Sequence, residues 1–130
     1  SRLLARIRLL VGARPDFLIT RINTGVFSAP GDPSSRIRSA PTGFPDLIGT
    51  QLRRVFARRV REHTFGRHEE DYWHYYGQAI AIETKSTRGV LSEAQGNWKR
   101  SFESMGGLYV LAREESDVLD LLGPVTERLK

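Results

Sequence analysis

Glu83 and Lys85 stand two residues apart at the end of the apolar run Ala79-Ile80-Ala81-Ile82, and Asp46 lies within Phe44-Pro45-Asp46-Leu47-Ile48-Gly49. Side chains two apart on a strand project to one face, so the Glu83 carboxylate and the Lys85 ammonium are expected together, with the Thr84 side chain pointing away and its carbonyl left available. An Asp46 brought in by a neighbouring strand would complete two carboxylates and a carbonyl, which with water is the oxygen-rich set that Mg²⁺ prefers. Phosphodiester hydrolysis needs such a set. Water must become nucleophilic, charge must be stabilised on the phosphoryl group, and a poor alkoxide must leave, and a bound metal helps with all three. Lys85 would hold the attacking water and offset charge on the phosphoryl oxygens. Neither short motif is specific alone, since Pro-Asp pairs are common in turns and Glu-x-Lys is common on solvated sheets; their combination carries the reading.

The elements that must position these residues are legible in part. Leu3, Leu4, Ile7, Leu10 and Val11 recur at helical spacing and predict an amphipathic helix ended by Gly12. Phe17 to Ile22 reads as a strand, with Asn23-Thr24-Gly25 as the turn after it. Residues 28–43, rich in Pro, Gly and Ser, read as a long loop. Thr50 to Gly77 alternates Arg with apolar residues and allows either a helix or an extended hairpin. Ala79 to Lys85 is a buried strand. Ser92 begins a helix with Ala94, Trp98, Phe102 and Met105 on one face, stopped by Gly106-Gly107. Leu108 to Ala112 is a strand, Ser116 or Asp117 caps a helix through Leu122, and Pro124 opens a last short one. The expected class is α/β, one domain over residues 1–130, in the order αβββαβα.

Composition sets bounds on function. The 130 residues contain no Cys, which excludes disulfides, thiolate catalysis and sulfur-built zinc sites. No apolar run is long enough to span a bilayer, so a cytoplasmic protein without membrane contact is expected. Residues 1–61 hold twelve Arg against three Asp, a balance of +9, while residues 62–130 balance at −4. Basic charge concentrated in one half suits a polyanion, and seventeen of the twenty basic residues are Arg, whose planar fork pairs with phosphate oxygens.

Four blocks in order carry a resemblance: Arg21-Ile22-Asn23-Thr24-Gly25; Gly43-Phe44-Pro45-Asp46-Leu47-Ile48-Gly49; Ile82-Glu83-Thr84-Lys85-Ser86 with Gly89-x-Leu91-Ser92-x-x-Gln95-x-x-Trp98; and Gly106-Gly107-x-Tyr109. Together they resemble the virus-type replication-repair nuclease (VRR-NUC) family of the PD-(D/E)xK superfamily, over about residues 17 to 122. The resemblance implies a restriction-endonuclease-like core, a central mixed β-sheet flanked by helices. It implies Asp46 and Glu83 as ligands of Mg²⁺, with Mn²⁺ as substitute, joined by the Thr84 carbonyl, Lys85 as the catalytic lysine and Gln95 near the metal. It also implies a homodimeric endodeoxyribonuclease that resolves Holliday junctions and leaves a 5′-phosphate, in a bacterial or phage-infected cell. The alternatives are a flap or nicking enzyme, or a DNA-binding module that kept the fold and lost the chemistry. The chain departs from the family pattern in two places. Residues 1–12 contain no acid where many members have a Glu on the first helix, and the Asp46 to Glu83 separation is lengthened by an insertion within 50–77.

Other residues have competing readings. Ser92 and Gln95 also form a capping box that needs no metal. Arg36 and Arg38, ahead of the Asp46 strand, are placed as phosphate clamps, and Arg21, Asn23, Thr24, Ser86, Arg88 and Lys99 are further candidates for DNA contact. His63, His68 and His74 are irregularly spaced and read as solvated rather than zinc-binding. Tyr72, Trp73, Tyr75 and Tyr76 suit stacking on unpaired bases, or a core or dimer contact.

Overall fold

The computed structural model describes residues 1–21, 26–29, 31–38 and 43–128, with residues 21, 26–29 and 33–38 described through their backbone only. The elements are α1 (Arg2–Gly12), β1 (Phe17–Arg21), β2 (Val26–Ala29), β3 (Asp32–Arg38), β4 (Leu47–His63), β5 (Gly66–Thr84), α2 (Glu93–Ser104), β6 (Leu108–Ala112) and α3 (Glu115–Leu122). The class is α/β, as the sequence predicts. A four-stranded mixed sheet runs β1-β4-β5-β6, antiparallel at the first two junctions and parallel between β5 and β6.

Alternation along the strands sorts the two faces. Leu47, Ile80, Ile82 and Ala112 turn to one side and pack with Ile7 and Val11 of α1 and Val118 and Leu122 of α3. On the other side Tyr109, in register with Ala81, meets Trp98 of α2, and Trp98 stacks on Phe102 and contacts Phe44. Close packing requires small residues at two crossings. A Cβ on Gly49 would lie 2.4 Å from the Phe17 ring, and one on Gly107 2.3 Å from the Phe102 ring. Ser1 caps α1 by accepting the Leu4 N–H. No helix among the described residues is long and apolar enough to cross a membrane.

Four expectations need correction. Residues 26–38 form a hairpin of their own, β2 against β3, where a loop is expected; Ala29 pairs with Asp32 and Gly31 takes φ 79° in the reversal between them. The Pro-Gly-rich composition there marks a tight turn, not the absence of strands. These two strands add to the expected order αβββαβα. The N-cap of α3 is Glu114, while the Asp117 carboxylate accepts the Arg113 and Glu114 N–H groups from inside the helix. Residues 124–128 form no helix, and Met105 is exposed at the C-cap of α2 instead of on its packed face.

The open choice over residues 50–77 resolves as an extended hairpin. β4 and β5 pair in unbroken register from Leu47 with Ile82 out to His63 with Gly66, joined by the turn at Thr64-Phe65. β1 flanks β4 only along Leu47 to Gln51, and β6 flanks β5 only along Ile80 to Thr84. Beyond these limits the two strands continue as an exposed arm.

Candidate active site

The start of β4 and the end of β5 meet at one end of the sheet, and four of the sequence-predicted residues, Asp46, Glu83, Thr84 and Lys85, converge there. Asp46 sits just ahead of β4, and its backbone N–H donates to Glu83 Oε2 at 3.0 Å. Its own Oδ2 accepts from the Thr84 N–H at 2.8 Å and the Thr84 hydroxyl at 2.7 Å. The Thr84 side chain therefore points to Asp46, not away from the site as strand alternation predicts. Strand pairing has ended at Leu47 and Ile82, and the Asp46 carboxylate takes the place of a ladder acceptor for Thr84. Lys85 Nζ lies 3.8 Å from Glu83 Oε1, on the expected common side.

Gln95 reaches the same carboxylate from α2. Its Nε2 donates to Glu83 Oε1 at 3.0 Å, while its Oε1 accepts the Ser92 N–H at 2.9 Å and its own N–H donates to Ser92 Oγ. One amide thus closes the helix cap and holds the acid, so the capping box that the sequence offers for Gln95 is present and does not keep its side chain from Glu83. The loop ahead of Asp46 is seated on α2 as well: Gly43 takes φ 97°, and a Cβ there would lie 2.5 Å from the Ala94 carbonyl oxygen.

Electrostatics reinforce the geometry. Glu83 is buried, with 4% of its surface exposed. Burial, and then the neighbouring Asp46 charge, push its carboxyl up to about 7, against the opposing pull of Lys85 and the hydrogen bonds from Asp46 and Gln95. Two acids held together in a dry place attract a cation. Among the described residues no three His, Cys, Asp or Glu side chains are grouped to hold a metal ion. The donor set is two carboxylates and the Thr84 carbonyl, which fits a hard cation that keeps several waters, as Mg²⁺ does.

Tyr109 is a residue the sequence reading quoted without assigning it a role. Its hydroxyl is buried with no hydrogen-bond partner among the described residues, and burial, with the charges of Glu83, Asp46 and Glu103, raises its pKa above the ordinary range. The available signal was its position on β6, across from Ala81 and two residues from Glu83.

A cleft of about 340 Å³ adjoins the site, lined by Ser1, Leu3, Thr84, Lys85, Ser86, Thr87 and Arg113. Arg113 Nη1 donates to the Ser86, Thr87 and Gly89 carbonyls and so fixes the loop after Lys85. Ser86 is therefore beside the site, and Arg88 is exposed in the same loop. Lys99 lies one turn beyond Gln95, paired with Glu103 at 3.4 Å and over the Tyr109 ring. Arg21 ends β1 opposite Leu47, and Arg36 and Arg38 lie on β3. Asn23 and Thr24 fall outside the described residues.

No protein-family model, curated protein or solved structure matches this chain. The chemistry of the site has to be argued from its own residues. Those residues bring two acids, a lysine and an amide together on the side of the sheet that α2 partly covers, and of the group Thr84 and Lys85 also line the cleft.

Proposed function

We propose that the chain is a metal-dependent, structure-selective DNA endonuclease of the VRR-NUC kind, with a restriction-endonuclease-like core and a four-way junction as substrate. The observation that carries this reading is the meeting of Asp46, Glu83, Lys85 and Gln95 at one point, from parts of the sequence 12 to 37 residues apart. The sheet supports it in coarser terms: two antiparallel strands bring the acids together and a parallel fourth strand follows a helix on the site's own side.

Asp46, Glu83 and the Thr84 carbonyl would hold Mg²⁺, or Mn²⁺ in its place. When bound, the ion lowers the pKa of water and polarises the phosphoryl oxygens. The chain's own groups do the positioning. Gln95 and the Asp46 N–H fix the Glu83 carboxylate, and the Thr84 N–H and hydroxyl fix that of Asp46. Lys85 stands where it can orient the attacking water and offset charge on the phosphoryl group. Ser86 and Arg88, in the braced loop beside the cleft, and Lys99, one turn along α2, are placed for backbone contact. Arg21, Arg36 and Arg38 extend that role along β1 and β3. A homodimer would present two such sites to two strands.

The test is cleavage of labelled four-way junction, flap and linear duplex DNA in Mg²⁺ by the parent chain, Asp46→Ala and Lys85→Ala. Paired symmetric cuts in the junction, absent from both variants, are expected. Preference for the flap would shift the substrate. Folded, metal-supplied protein that cuts nothing would leave the second reading, a DNA-binding module without chemistry, which the absence of an acid in α1 favours.

A further inference from the structure

The arm is costly to leave uncovered. A two-stranded ribbon without a third strand or a helix is marginally stable in water. Past Leu52, whose N–H is taken by the Asp16 carbonyl, and before Ile80 on β5, no strand among the described residues flanks the outer edges of the ribbon. Natural proteins occupy or blunt such edges. Phe56 at 58%, Trp73 at 41%, Val60 at 44% and Phe65 at 96% exposure add apolar surface that the described residues leave open to water.

The two faces of the arm differ in a way that selects the occupant. One carries Phe56 edge-on to Trp73 at 5.3 Å, with Arg54 over the Trp73 ring at 4.2 Å. Its charges cancel: Arg54, Arg58 and Arg67 face Glu62, Glu69 and Asp71, and Arg58 pairs with Asp71 and Glu69 while Arg67 pairs with Glu69. Covering this face strands no lone charge. The opposite face has Arg59 and Arg61 against Glu70 and is better left in water. The strands differ too. On the Phe56–Trp73 face Arg54, Arg58 and Glu62 of β4 balance at +1, and Arg67, Glu69 and Asp71 of β5 at −1. Four carboxylates on one ribbon weaken it as a surface for a polyanion, and Arg53 is already held by Gln51 and the Leu121 carbonyl. A second ribbon of the same kind, laid with its acidic strand over this basic one, complements it twice.

We propose that the arm is a homodimerisation element, in which the Phe56–Trp73 face seats on the same face of a second copy. A two-fold axis along the ribbon sets β4 of each copy over β5 of the other, as an isologous contact requires. Ten residues at about 3.3 Å each and a ribbon about 10 Å wide give a footprint of about 330 Å² before side-chain relief. That is below the roughly 800 Å² per partner of a standard interface, so the contact is a weak, reversible one. The proposal rests on the nuclease reading only for its consequence, two sites in one particle.

Molar mass by light scattering across micromolar concentrations tests it. The parent is expected to pass from monomer to dimer, and Phe56→Glu and Trp73→Glu to raise the midpoint concentration tenfold or more. Arg59→Ala and Arg61→Ala, on the other face, should leave it in place. Val60→Lys covers the case in which Trp73→Glu unzips the arm, because it keeps the ladder and adds a charge inside the contact. A parent that stays monomeric, or a dimer that survives Val60→Lys unchanged, overturns the proposal. So does a monomer whose duplex DNA affinity falls, with a shallower salt dependence, in Arg59→Ala and Arg61→Ala, since the occupant is then DNA. Junction cleavage by the same preparations keeps the two readings apart. A dimer that cuts nothing removes the nuclease and leaves the arm; a monomer that cuts removes the arm alone.

Discussion

β4 and β5 are the same two strands at both ends, yet their inner and outer halves behave as different materials. Near the site, Leu47, Gln51, Ile80, Ile82 and Glu83 are buried between the helices; from Arg54 to Tyr75 the same ladder is mostly exposed on both faces. Backbone pairing is continuous across the boundary. Hydrogen bonding therefore builds the ribbon, and only packing by α1, α2 and α3 turns part of it into an interior. The candidate site sits on the packed part. Glu83 is pushed up to about 7 because water is excluded there.

The contrast can be broken most forcefully at the site. Asp46→Ala or Lys85→Ala should lower junction cleavage by about 10³-fold or more, as loss of a group that stabilises developing charge does, with an unchanged circular dichroism spectrum. A comparable loss on truncating an arm side chain would erase the distinction. In denaturant titrations, Ile82→Ala should cost about 2–5 kcal/mol, against about 0.5 kcal/mol or less for Val60→Ala in monomeric protein at high dilution. Glu83→Gln runs the other way. The folded chain keeps the Glu83 proton up to about pH 7 while the unfolded chain releases it near 4.5, so stability falls as pH rises across that interval. In chelator at pH 8 the Gln variant should be more stable by about 1–3 kcal/mol, a gain that vanishes below pH 4.5. Adding Mg²⁺ should raise the parent's midpoint and leave the variant's alone.

Asp16 offers a smaller and opposite titration. Burial would raise its carboxyl, but hydrogen bonds from Arg14, the Thr126 N–H and Gln51 outweigh it and hold the group at about 2. Its contribution is present above about pH 4 and lost as pH falls through 2. Asp16→Asn should cost about 2 kcal/mol at pH 7 and nothing at the acid end. Smallest of all, Arg58→Ala on the exposed arm should leave the denaturant midpoint of monomeric protein where it is, despite its two ion pairs, because water screens them.

The packed half was the half legible in the sequence. α1, β1, the end of β5, α2, β6 and α3 each write a buried face as a period of 3.6 or as an apolar run. Glu83 and Lys85 could be placed together from their spacing; the position of Gln95 three residues after Ser92 gave only the cap of α2, and its reach towards Glu83 was implied by the family resemblance. The arm left helix and hairpin both open because two exposed faces impose no hydrophobic period, and Arg and Tyr serve either. β2 and β3 were hidden for a related reason: Pro33, Ser34 and Ser35 look like loop when the pairing of Val26 with Arg38 is unknown. Thr84 misled differently. Alternation says which face a side chain takes, not what reaches it, and Thr84, still paired with Ala112 of β6, stands past the last β4–β5 pair, where the Asp46 carboxylate comes within reach.

The turn at Thr64-Phe65 is the most distant point of the ladder from Asp46, and it shares in setting which residue Asp46 meets. Since every rung between them is in step, adding one residue to a single strand of the arm must be absorbed as a bulge or carried down to the acids, sliding them apart by about 3.4 Å. Adding one residue to each strand slides nothing. The arm is thus a dimension in which such a chain can grow or shrink in matched steps, each step turning the tip over while the Asp46–Glu83 end keeps its alignment.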